Sequence, residues 1–222
     1  MIARLCLATG TDYKPATQNR GSRAVNGMVQ FIDLWRGHPT NESVDTPCLL
    51  TDGGSRAPDE APVEASPGIK PAEAHVEPVA PRDQSAIRLG VAMRRAGVRI
   101  EELGSRLQTC GIHDRSLMHI LSASQFAAAL RRAKIPGLGD VELIAGNDVA
   151  RFQARIVGRT GILYVRDYWM RPGDPEGRPT GDLIDLWNGY RTTDSWLMDW
   201  MAWAGYTSSY ELAREMWFWP VA

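Results

Sequence analysis

The sequence predicts an α+β fold in which helices come first and an antiparallel sheet follows. Two observations carry this expectation. Across the first 133 residues, apolar side chains recur at helical spacing in runs that Gly or Pro closes. Beyond residue 155 they crowd into short runs separated by Gly and Pro turns, which is the pattern of strands. Helices and sheet segregated along one chain define the α+β class. With 222 residues and 44% hydrophobic content the chain can bury one substantial core, so one domain with additions is expected.

Residues 1–28 are polar and show no sustained period, and are expected to be a flexible arm or leader. Phe31, Leu34 and Trp35 sit at helical spacing before Gly37 and Pro39, which predicts a first helix. Residues 55–82 form an insertion rich in Pro, Ala, Glu and Val without aromatic side chains, and are expected to be mobile because they cannot bury enough surface to offset ordering. Residues 84–96 are predicted helical through Ile87, Val91 and Ala92, with Gly97 closing the run. An irregular stretch with Cys110 and His113 follows. Next comes a helix at 124–133 with Phe126, Ala127 and Leu130 inward, capped from the Ser122-Ala123-Ser124 step.

Strands are expected at 155–157, 161–165 and 183–187, the last two joined as a hairpin through the Pro- and Gly-rich loop 171–180. A helix at 195–204 would place Trp196, Trp200 and Trp203 on one face. A terminal strand over 216–221 completes the sheet.

Charge and composition exclude several roles. A net charge of -1 and a pI near 6.4 give no electrostatic footprint for nucleic acid, and Arg94-Arg95 and Arg131-Arg132 read as solvated helix faces. No run approaches the roughly 18 apolar residues of a membrane span. The 3 cysteines, Cys6, Cys48 and Cys110, lack metal-ligand spacing, and a Cys48 to Cys110 disulfide and idle thiols both remain open. No metal and no cofactor is expected. Seven of the 8 tryptophans lie between Trp169 and Trp219, a density that suits either core packing or a sugar or peptide platform.

Two motifs add a resemblance. Asp83-Gln84-Ser85-Ala86-Ile87-Arg88-Leu89-Gly90 and Gly181-Asp182-Leu183-Ile184-Asp185-Leu186-Trp187-Asn188-Gly189 resemble segments of the type VI secretion amidase effectors of the fourth family, bacterial toxins that cut peptidoglycan stem peptides. In that family the first motif carries Cys where Ser85 stands, and the second carries His where Leu183 stands. Gly158-Arg159-Thr160-Gly161-Ile162 and Tyr168-Trp169 follow the same order and spacing, so the resemblance covers about 29–222 apart from the insertion.

It implies a papain-like cysteine peptidase or amidase fold, with an antiparallel sheet packed against helices. The nucleophile would sit at a helix N-terminus and the base on a neighbouring strand. Ser85, Leu183 and Asp194 are then the degenerate triad positions, Asp194 matching the third catalytic residue. Each also has a structural explanation: helix capping for Ser85 and Asp194, and burial in a core for Leu183. The expected consequence is a pseudoenzyme. Its partner would be a peptidoglycan stem peptide, an immunity-like protein or a component of the secretion apparatus. It would reside in the bacterial cytoplasm before export and in the periplasm of a target cell once secreted, with no insertion into a membrane. The rival expectation is an active amidase that cleaves the γ-D-Glu to meso-diaminopimelate bond, with Ser85 as nucleophile and a relocated base, for which His113 and His119 are the candidates.

Overall fold

The computed structural model describes residues 27–40, 49–50, 77–78, 84–99, 103, 107–110, 119–171, 173–193, 210 and 213–222. In chain order these form α1 (Phe31–Gly37), β1 (Leu49–Leu50), β2 (Glu77–Pro78), α2 (Ser85–Arg95), α3 (Ala123–Arg132), β3 (Glu142–Ala145), a 3-10 turn (Gly146–Arg151), α4 (Phe152–Ile156), β4 (Gly161–Trp169), β5 (Gly181–Trp187) and β6 (Glu215–Pro220). The expected arm and the 195–204 helix with Trp196, Trp200 and Trp203 lie outside the described residues. So does most of the expected insertion, although its Glu77 and Pro78 pair with Leu50 and Leu49.

The main sheet is antiparallel with strand order β3-β6-β4-β5, as the α+β expectation required. Alternation along its strands builds two cores. Ile162, Tyr164, Ile184, Leu186 and Trp219 face α1, α2 and α3, where they meet Leu34, Leu89, Met93, Phe126 and Leu130. Leu163, Val165, Leu183, Trp187 and Phe218 face the opposite way, onto Val149, Phe152 and Ile156 of the 3-10 turn and α4. The sheet is therefore covered on both faces.

The expected strand at 155–157 is instead the end of α4. Phe152 and Ile156 are both buried and stand four residues apart, a helical period that the β-branched pair Ile156-Val157 read alone does not reveal. β3 carried no strand signal in the sequence, because its four residues expose Leu143 and bury only Ile144. The predicted hairpin is present: β4 and β5 pair from Gly161↔Trp187 to Val165↔Leu183, and after a bulge at Trp169↔Gly181. Asp174 shapes its connecting loop by accepting the N–H groups of Arg171 and Thr180 at 2.7 and 2.9 Å. The predicted cap of α3 is also present, with Ser122 Oγ accepting from Gln125 N–H.

Candidate functional site

Among the described residues β5 lies at the edge of the main sheet, its outer side paired only at the isolated bridge Trp187↔Thr192. The first turn of α2 covers that edge. There the N–H of Ile184 donates to Ser85 Oγ across 3.3 Å, joining two positions 99 residues apart. The two degenerate positions are thereby brought together, since the peptide group that Ser85 touches is the one linking Leu183 to Ile184. Ser85 is only 4% exposed.

Its hydroxyl does not serve as the expected helix cap. The cap position falls on Gln84, which makes no side-chain capping bond, and Ser85 lies inside the helix. A strand N–H sealed from water costs about 1–3 kcal/mol if left unpaired, which is reason enough for the hydroxyl to turn toward the strand.

Leu183 is equally buried at 4% and points away from α2 and α3, into the apolar cluster with Val165, Tyr168, Trp169 and Phe218. It brings no lone pair and no exchangeable proton to the site. Asp194, the third degenerate position, lies outside the described residues.

On the helix-facing side of β5, Asp182 accepts the hydroxyl of Tyr164 at 3.1 Å and the backbone N–H of Asp167 at 2.9 Å. Asp167 adopts a φ of 52°, a left-handed conformation rare outside glycine, within the bulge of β4. Burial raises the pKa of Asp182 above the usual carboxylate value, and the nearby Asp167 charge adds to this. Burial also raises the Tyr164 phenol, with the Asp182 charge reinforcing the shift. The Asp182 carboxylate therefore braces a strained turn beside the site.

A second polar cluster surrounds Asp185, two residues beyond Leu183 on the same strand. Its carboxylate accepts the N–H groups of Leu186 and Thr193 at 2.7 and 2.9 Å, together with the Thr193 hydroxyl. His38 Nε2 stands 3.4 Å from Asp185 Oδ1, and both side chains are 1% exposed. The other ring nitrogen of His38, Nδ1, lies 2.7 Å from Thr40 Oγ1. Sequence reasoning singled out neither His38 nor Asp185 for chemistry. The only available signal was a His-Pro-Thr step ending the first helix, and nothing local ties it to a strand some 150 residues later.

The remaining candidates are dispersed. His75 and His113 lie outside the described residues, whereas His119 is half-buried and its carbonyl accepts the N–H of Cys110. Cys110 is a buried thiol packed with Ile87 and Leu121, and Cys48 is outside the described residues. Trp169 and Trp187 are core residues, the latter donating from Nε1 to Ile156 O at 3.1 Å. Among the described residues, no three His, Cys, Asp or Glu side chains are grouped to hold a metal, and no helix is long and apolar enough to cross a membrane.

A helix start that meets an edge strand is the arrangement in which a thiolate and an imidazole can cooperate. Here the helix start sets a buried hydroxyl against the strand backbone, while the alkyl side chain at 183 points into the opposite core. Residues 82–219, more than half of the chain, match the family model described as type VI secretion system (T6SS), amidase effector protein 4. The matched span contains α2, the whole main sheet up to Trp219, and the positions Ser85, Leu183 and Asp194. No curated protein matches the chain significantly.

Proposed function

The chain belongs to the type VI secretion system amidase effector protein 4 family, and from that premise we propose that it is a member that has lost amide hydrolysis at the Ser85 and Leu183 positions and keeps the fold for binding. The family is one of secreted effectors directed at peptidoglycan in the periplasm of target cells. One observation carries the reading: the hydroxyl at the nucleophile position is engaged in bridging α2 to β5, while the base position holds an alkyl group packed in a core.

The energetics point the same way. A serine hydroxyl is almost wholly protonated near neutral pH, and the roughly 0.3–1 kcal/mol available from a helix N-terminus does not ionise it. Removing nucleophile or base from a triad hydrolase costs on the order of 10⁶ in turnover, and a side chain without a lone pair cannot restore the proton transfer. What remains is the fold, and the ligand class that the family suggests for it is the peptidoglycan stem peptide. Immunity-like proteins and components of the secretion apparatus are the other partner classes consistent with the family. The protein would act in the target periplasm after export.

The test is incubation of the purified protein with peptidoglycan sacculi, reading co-sedimentation and the release of new amines by mass spectrometry. Binding without cleavage is the expected result. Cleavage at the γ-D-Glu to meso-diaminopimelate bond that disappears in Ser85→Ala would instead establish an active serine amidase with a relocated base.

A further inference from the structure

The strand that lacks an imidazole at position 183 holds one at position 185, supplied from the end of α1. His38 bridges a hydroxyl and a carboxylate through its two ring nitrogens, at 2.7 Å to Thr40 Oγ1 and 3.4 Å to Asp185 Oδ1. Thr193 Oγ1, which gives its proton to Asp185 Oδ1, lies 3.5 Å from Nε2, so Nε2 is the ring's donor and Nδ1 the acceptor facing Thr40. Asp185 is itself fixed by the N–H groups of Leu186 and Thr193, which sets the orientation of the ring. The imidazole and carboxylate side chains are 1% exposed, and Thr40 is half-buried as a residue.

We propose that Thr40, His38 and Asp185 form a second relay of the hydroxyl–imidazole–carboxylate type, in which Thr40 Oγ1 is a nucleophile toward acyl esters. As Oγ1 bonds to the carbonyl carbon, the Thr40 O–H bond breaks and its proton passes to His38 Nδ1. Asp185 stabilises the resulting imidazolium through Nε2–H. Collapse of the tetrahedral adduct expels the alcohol, which takes the proton from Nδ1 and leaves an acyl-Thr40. Water attacking that acyl group, with His38 again as base, releases the acid and restores the hydroxyl. Thr40 and His38 both lie outside the residues matched by the family model, and the relay requires nothing of Ser85 or Leu183.

A fluorophosphonate probe, which exchanges fluoride for a serine or threonine oxygen, tests the assignment on the full chain. A single phosphonyl adduct is expected on the peptide containing Thr40, formed equally in Ser85→Ala and absent in Thr40→Val. The labelling rate should fall by about 100-fold or more in His38→Gln, the scale of a lost general base. Thr40→Ser should retain labelling. No adduct on the parent protein, an adduct at Ser85 instead, or labelling that persists in Thr40→Val would each overturn the proposal. The Thr40 variants read this out even where His38→Gln fails to fold, because Thr40 is not sealed in the core.

Discussion

Removing the Ser85 hydroxyl leaves the Ile184 N–H at a sealed strand edge with no side-chain acceptor. Ser85→Ala is therefore expected to lower stability by about 1–3 kcal/mol, the cost of an unsatisfied buried donor. The check is the shift of the urea midpoint at unchanged slope. Ser85→Cys should cost less, because sulfur remains a weak acceptor at the same place. An alcohol retained only as a reactive group would give no such ordering of variants. The position is thus under a physical constraint separate from hydrolysis, and the same holds for Leu183, whose methyl groups complete the core on the opposite face of the strand.

At the scale of the element, each residue in the run 181–189 answers to a packing or backbone requirement of the hairpin. A Cβ on Gly181 would lie 2.3 Å from the Trp169 ring. Asp182 holds the Asp167 turn, Ile184 and Leu186 fill the helix-side core, and Asp185 ties down Thr193. Asn188 closes the exit by accepting the N–H groups of Tyr190 and Arg191, both at 3.0 Å. Gly161, opposite the end of this run, is as constrained, since a Cβ there would meet Trp219 O at 2.2 Å and the Phe218 ring at 2.8 Å. Gly161→Ala must then push β4 from β6, at an expected cost of about 1–3 kcal/mol, read as a lowered urea midpoint.

The hairpin and α2 were legible in the sequence because their turn residues and apolar periods are local. α4 and β3 were not, since a five-residue helix and a four-residue strand are too short for periodicity to separate them from their alternatives. The Ser85 contact with Ile184 and the His38 contact with Asp185 were equally hidden, each being a long-range pairing that no local pattern encodes.

For the whole molecule, the buried groups of the sheet set how stability responds to pH. Tyr164 has a folded pKa raised above its ordinary value near 10. A raised value means that its contribution is complete below pH 10 and is lost as pH climbs beyond it, because only the unfolded chain releases the proton readily. The protein is expected to lose stability above pH 10, and Tyr164→Phe should make that alkaline decline shallower in urea titrations run at successive pH values. At neutral pH the same variant should be less stable than the parent by about 1 kcal/mol, through loss of the hydrogen bond to Asp182. Asp182, also raised, has the same sign in a lower window: its contribution is fully present below the ordinary carboxylate value and fades as pH rises through its folded pKa.

The position of β6 has a consequence for how the chain can be made. This strand comes after every other strand in the sequence, yet it lies between β3 and β4 and pairs with both. While the chain is still emerging from the ribosome, β3 has no neighbour and the β4–β5 hairpin has one unpaired flank. The two pieces of the sheet can join only after residues 215–220 have been synthesised and have found the gap, a late and long-range closure that makes final folding slow relative to its local steps. Until then the apolar surfaces on both sides of the unfinished sheet remain open to water and to other chains.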